Sequence, residues 1–276
     1  MTARSRLRTY LVRLSTHAHL AVLALGMVLA CALLTAGLGP TTPLALDRAE
    51  RSLAQGDVYG ALATCEQTAH WAPLPSWRAQ ARYRAATLRA HHLDQPAQAV
   101  RELRTLLHHG GADPQLEALA LQLLAESLEI RGKHRQVAEA YERLARISPR
   151  PALWLQAAAL AWERTGRPDR ALLRHAGAAA HDPQLAAQAL LAMGRISLGV
   201  GRSDKAYAFY AAALQRDPSH EQARLARLGM AMALDAMGRF EQALAELDEA
   251  SPERDRAIGI ARDRVLRRAA EEPTAP

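Results

Sequence analysis

Asparagine is absent from this 276-residue chain, lysine occurs twice against 33 arginines, and aromatic side chains make up only 4% of it. So few aromatics, on a background dominated by alanine and leucine, argue against a β-sheet core and favour helices that pack closely through small side chains. There are two cysteines, Cys31 in an apolar run and Cys65 on a predicted helix, so the fold does not depend on disulfides. The spacings HExxH, CxxC, GxSxG and GxxxxGK(S/T) do not occur. The local signatures of zinc proteases, thiol redox sites, hydrolases and phosphate loops are therefore missing. Gly199-Val200-Gly201 follows a helical pattern rather than a strand and lacks a third glycine, so it reads as a turn. No long Gly/Ser linker or low-complexity tract divides the chain, and the excess of arginine over lysine reads as GC-rich bacterial coding.

The net charge of +7 is unevenly placed. Arg4, Arg6, Arg8 and Arg13 supply four positive charges before any acidic residue appears. The other 31 basic and 28 acidic side chains describe a mixed, solvated surface rather than a nucleic-acid interface.

Between Arg13 and Asp47 there is no Lys, Arg, Asp or Glu. The apolar centre from Leu20 to Leu38 would be about 28 Å long as a helix, close to the hydrocarbon thickness of a bilayer. With four arginines before it and none after it until Arg48, the positive-inside rule puts residues 1–17 in the cytoplasm, 18–39 across the bacterial inner membrane, and the rest outside the cytoplasm. Two other readings compete. Small residues at Ala30-Cys31-Ala32 and Thr35-Ala36-Gly37 offer signal-peptide cleavage points, and Val28-Leu29-Ala30-Cys31 resembles a lipobox ending in a cysteine to be acylated. The run stays apolar from Ala32 to Leu38, which favours a retained single-pass anchor over both.

Six times, a residue suited to ending one helix is followed five positions later by one suited to tight helix packing. The pairs are Gly56/Ala61, Asp94/Ala99, Gly132/Val137, Gly166/Ala171, Gly201/Ala206 and Gly238/Ala243. Their spacings of 38, 38, 34, 35 and 37 residues mean stacked helical hairpins. The stretch from Pro151 to Gln184 shows the unit most clearly. Trp154, Leu155, Ala158, Ala159 and Trp162 form one apolar face, Gly166 stops the helix, Pro168 opens the next, Ala171 lets it lie close, and Pro183 ends it. A proline recurs 17 residues after the turn at Pro73, Pro149, Pro183 and Pro218. Nine residues after the turn stand Cys65, Leu103, Tyr141, His175, Tyr210 and Leu247.

This grammar resembles the tetratricopeptide repeat family, a 34-residue helix–turn–helix, over about residues 42–252. The segment Met193-Gly194, Gly201, Ala206, Tyr210, Ala213, Pro218 is the nearest match. Asp94 departs from the turn glycine, Val137 from the small alanine, and the sixth unit ends early at Pro252. The resemblance implies an all-α fold, a right-handed solenoid of about six hairpins. Ser251-Pro252-Glu253 reads as the start of a capping helix over 253–270, with 271–276 as a disordered tail.

The resemblance also implies a partner groove lined by the first helix of each hairpin. Family register places Arg84, Leu88, Gln122, Glu126, Gln156 and Leu160 there, followed by Glu163, Leu191, Arg195, Leu198, Leu228 and Met232. The lysine and asparagine clamp with which some family members hold C-terminal carboxylates has no counterpart, and the lining grows more apolar toward the C-terminal units. The expected occupant is an amphipathic helix or an extended apolar segment of a protein partner. Neither an enzyme nor a cofactor or small-molecule substrate is expected. His91/His92 and His108/His109 end the two antiparallel helices of one hairpin, roughly 20 Å apart, too far to share a metal. Arg78, Arg82 and Arg89 form a basic stripe, read as a solvated face or as a dock for an acidic partner or anionic headgroups. The function expected is a membrane-anchored protein-interaction scaffold, or alternatively a lipoprotein acylated at Cys31 that acts in outer-membrane protein assembly or pilus biogenesis.

Overall fold

Gly56, Asp94, Gly132, Gly166, Gly201 and Gly238 all have a left-handed backbone, with φ between +50° and +84°. The computed structural model describes residues 41–216, 218–250 and 256–271, and in it each of these six stands just past the end of a helix. A residue in that conformation folds the chain back so that an amide just beyond the helix reaches a carbonyl five residues earlier. The bonds from Asp57 to Ser52 (2.9 Å), Lys133 to Leu128 (3.0 Å), Arg202 to Ser197 (2.9 Å) and Arg239 to Leu234 (2.9 Å) are of this kind. Asp94, at φ +50°, is the non-glycine member of the set. A short polar side chain tolerates this region better than a branched one.

The described residues form thirteen α-helices and no strand. In chain order they are α1 (Thr41–Ala54), α2 (Val58–Trp71), α3 (Pro75–His91), α4 (Pro96–His109), α5 (Pro114–Ile130), α6 (His134–Ile147) and α7 (Pro151–Arg164). Then come α8 (Pro168–His181), α9 (Pro183–Gly199), α10 (Ser203–Leu214), α11 (His220–Ala236), α12 (Phe240–Ala250) and α13 (Arg256–Glu271). Proline opens α3, α4, α7, α8 and α9, where its missing N–H would have had no partner. Ser219 caps α11 reciprocally with Gln222, a capping box.

The helices fall into two compact units. The first holds the described residues up to Gln98 together with Arg104–Asp113, and the second holds Ala99–Leu103 and the described residues from Pro114 onward. In the first, Ala49, Ala61, Leu62, Cys65, Ala85 and Leu88 form one buried cluster, and Leu46, Ala69 and Ala81 form another under Trp77. In the second, each of α6 to α12 packs on its neighbours in sequence. The residues five past each turn are closed off: Ala61 and Val137 at 1% exposure, Ala99, Ala171, Ala206 and Ala243 at 0%. These small side chains let paired helices approach closely, which is how a core this poor in aromatics fills its interior. At the C-terminal end, Ile258 and Val265, two turns apart on α13, close the cluster of Leu234, Ala243 and Leu247.

Residues 1–40, with the expected span at 18–39 and the candidate lipidation site Cys31, lie outside the described residues, as do 251–255 and 272–276. No helix among the described residues is long and apolar enough to cross a membrane.

Candidate functional site: the first-helix face of the second unit

Counting back ten, six and three residues from each turn glycine picks out one face of each first helix, since spacings of four and three bring side chains into line. In the second unit these triplets are Gln122, Glu126 and Glu129 on α5; Gln156, Leu160 and Glu163 on α7; Leu191, Arg195 and Leu198 on α9; and Leu228, Met232 and Asp235 on α11.

The three rows differ in what they can offer. The middle row stands out most. Leu160 is 48% exposed, Met232 41%, and the Arg195 side chain 61%, while Glu126 is half-buried and accepts a bond from Gln122 Nε2 at 3.2 Å. The row nearest the turn is engaged in pairs between successive first helices. Glu129 binds Arg164, and Glu163 binds Arg195. Asp235, only 3% exposed, binds Arg264 at 3.3 Å and Arg268 at 3.0 Å, both on α13. The capping helix thus supplies to α11 the arginine that a following first helix supplies elsewhere. In the row ten before the turn, Leu191 packs half-buried against the Ala206–Tyr210 cluster, as does Leu198 from the row nearest the turn. Leu228 packs half-buried against the cluster closed by α13.

Beneath these rows lie the polar tips of second-helix residues nine past the turn. His175 is buried, with its Nε2 3.0 Å from Glu163 Oε1. Burial alone would raise the Glu163 pKa, but hydrogen bonds from His175 and Arg195 outweigh it and hold the carboxyl below its usual range. The Tyr210 ring lies between α9 and α11. A Cβ on Gly194 would fall 2.7 Å from it, and one on Gly229 2.4 Å. Burial pushes the Tyr210 phenol up, and the Arg195 guanidinium draws it partly back. Tyr141 stacks on Trp154 with ring centroids 5.9 Å apart, its phenol pushed up by burial and then by Glu129 and Glu126. Trp162 is buried, donates to Glu142 Oε1 at 2.7 Å and carries Arg170 over its ring.

The face therefore holds apolar side chains between fixed charges. Of its carboxylates, Glu129, Glu163 and Asp235 are paired with arginines, while Glu126 accepts a bond from Gln122. Cys65 is also structural: burial pushes its thiol up to about 11, so it stays protonated at neutral pH.

Two members of the expected lining sit in the first unit and differ from expectation. Leu88 is 5% exposed, enclosed by Ala49 of α1 and by Ala61 and Cys65 of α2, so it belongs to the core and cannot touch a partner. Arg84 is half-buried and tied to α1 through the Leu46 carbonyl (3.2 Å) and Glu50 (2.8 Å). The expected basic stripe is likewise shorter, because Arg89 folds down onto Glu66 and leaves Arg78 exposed and Arg82 half-buried. Arg164, Glu129, Asp235, Arg264 and Arg268 are the participants that sequence reasoning missed. An acid three before the turn in three first helices was the available signal.

Residues 197–258 match the tetratricopeptide repeat family model. Comparison with curated proteins gave no match. Among solved structures, Naa15/Naa10 bound to HypK-THB resembles the chain with a TM-score of 0.59 at 13% identity, over 84% of this chain and 35% of that one. YrrB, a TPR protein with an unusual peptide-binding site, aligns over 67% of this chain and 92% of its own at 17% identity and a TM-score of 0.49. A tetratricopeptide repeat protein from Parabacteroides merdae ATCC 43184 aligns over 84% and 89% at 13% identity and a TM-score of 0.47. The fold is of tetratricopeptide type, and at these identities the likeness extends to the fold alone.

Proposed function

We propose that this chain is a membrane-tethered scaffold that holds a partner polypeptide on the first-helix face of its second unit, outside the cytoplasm. The observation that carries the docking half is the middle row, Glu126, Leu160, Arg195 and Met232. It alternates charged and apolar side chains across four successive first helices and leaves the apolar ones open. An amphipathic helix or extended segment with apolar anchors and one acidic or basic contact suits such a row. The tether rests on Arg4, Arg6, Arg8 and Arg13 flanking the uncharged stretch that follows them.

A photo-crosslinking side chain placed at Leu160 or Met232 is expected to trap a partner in intact cells. The same group at Leu173, 61% exposed on the second helix α8, is expected to trap none. Equal trapping at Leu173 would move the binding face. A reporter active only outside the cytoplasm, fused after Pro276, should be active, and activity of a cytoplasm-only reporter there would overturn the topology. Globomycin sensitivity together with a mass shift on Cys31→Ala would replace the spanning anchor with an acylated one.

A further inference from the structure

One end of the first unit carries a surface that its own packing does not account for. The unit runs up and down: α1 starts at this end, α2 finishes there and α3 starts there. The buried cluster of Leu46, Ala69 and Ala81 under Trp77 ties these three helix ends together. Outside that cluster Leu44, Trp71 and Leu74 are 56%, 73% and 52% exposed. Beside them Pro75, Arg78, Arg82, Leu106 and His109 line a cleft of about 240 Å³. Gly110 completes the lining, and the next residue, Gly111 at φ +83°, lies so near Pro75 that a Cβ would come within 2.7 Å of its backbone. No Asp or Glu occurs between Glu66 and Asp94. Nor does any side chain cap α3, whose first amides point the same way.

We infer that this end of the first unit rests on the bilayer surface, with the cleft taking the phosphate of an anionic phospholipid headgroup and Trp71 and Leu74 entering the interfacial layer. The inference rests on the reading of 18–39 as the membrane span. That stretch stops at Gly39 and α1 begins at Thr41. The single residue between them, Pro40, lets the two ends part by no more than about 7 Å, so the end at which α1 starts is the one held at the membrane. The chemistry fits the place. Guanidinium groups match phosphate oxygens in geometry and charge. Tryptophan favours the headgroup layer, where its ring is half in oil and its N–H stays wet. Arginines near an anionic surface add attraction without needing a shaped pocket. Such a contact would orient the unit as well as tether it.

The test uses the full chain reconstituted in vesicles of phosphatidylcholine alone, or of phosphatidylcholine with phosphatidylglycerol, each carrying acyl chains brominated near the headgroup. Tryptophan fluorescence should be quenched in the phosphatidylglycerol vesicles, and Trp71→Phe should remove that component. Arg78→Gln, at an exposed position that does not threaten folding, should lower the bound-to-free ratio of this face about fivefold. Washing in alkaline carbonate separates the two readings. A chain retained in the membrane with Trp71 unquenched overturns the headgroup contact and leaves the anchor standing. A chain released by carbonate, yet quenched in phosphatidylglycerol vesicles, upholds the contact and removes the anchor. Equal quenching in phosphatidylcholine alone, or inorganic phosphate bound in neutral detergent by a chain whose Trp71 is unquenched on vesicles, overturns the proposal.

Discussion

Replacing Gly229 by alanine is the sharpest probe of how the second unit holds its first helices apart. A Cβ at that position would lie 2.4 Å from Tyr210 Cζ and 2.5 and 2.6 Å from its two Cε atoms. Carbon atoms in contact sit about 3.5 Å apart or more, so ring and helix must separate by about 1 Å. The ring has no room to retreat, because its other side meets α9 at Gly194, where a Cβ would itself fall 2.7 Å away. Overpacking of this kind costs about 1–3 kcal/mol. Against it stands a gain of about 1 kcal/mol from replacing glycine in a helix interior. The molecule supplies its own control in Gly259, exposed on α13 with nothing within 4 Å of its notional Cβ. Gly259→Ala should raise stability by up to about 1 kcal/mol, while Gly229→Ala should lower it by up to about 2 kcal/mol. Repeat arrays often depart from two-state unfolding, so the comparison belongs to urea midpoints followed by helical circular dichroism, not to extrapolated free energies. Adding Tyr210→Leu to Gly229→Ala should recover part of the loss, since a flexible side chain can yield where a ring cannot. A midpoint for Gly229→Ala at or above that of Gly259→Ala would refute the placement of Tyr210 between the two helices.

Three further outcomes concern the charges of the second unit. Glu163 is held below its usual pKa despite burial, by His175 and Arg195. Its contribution is therefore present above the unfolded carboxylate pKa and lost as pH falls through the lower folded value, so the wild type should lose urea resistance relative to Glu163→Gln between about pH 5 and pH 3. Glu246 is pushed the other way by burial, with Arg227 lowering and Glu249 raising it, so its substitution by Gln should remove a term that favours the folded state at acid pH. Arg195→Glu should cost measurable stability by setting a second carboxylate on Glu163. Leu160→Gln, at an exposed apolar position, should stay within about 0.5 kcal/mol of wild type and so is the cleaner probe of partner capture. Equal melting of the two variants would show that Arg195 stands free.

The helical architecture was readable because its markers are local. A left-handed turn residue, a small residue five later and a proline at the next helix start act within one hairpin, and Gly166, Ala171 and Pro183 each do so independently of the rest of the chain. Even Asp94, which breaks the glycine rule, adopts φ +50° because the hairpin demands it. The face was less legible for a physical reason. Register says which way a side chain leaves its helix, but not what lies over it. Leu88 and Leu160 share one register position, six before the turn. The first is enclosed by α1 and α2, and the second is open. Arg195 and Arg89 read as free charges on helical wheels, yet each lies on a glutamate more than twenty residues away in the chain.

Asp235 shows how those distant pairs bear on the array. Burying a carboxylate costs several kcal/mol unless it is paired, and a pair left half-broken is worse than no pair at all. At 3% exposure Asp235 is tolerable only with α13 in place, where Arg268 also reaches the Asp235 carbonyl at 2.9 Å. The acid thus makes the last hairpin depend on the capping helix by charge, while Ile258 and Val265 make it depend on the same helix by apolar burial. Glu129 and Glu163 repeat the arrangement inside the unit with Arg164 and Arg195, at more exposed and hence weaker pairs. The row nearest the turn is for that reason best read as the part of the face that sets helix order. On the function proposed above, partner recognition would fall to the middle row, whose apolar members Leu160 and Met232 are exposed and make no such pairs.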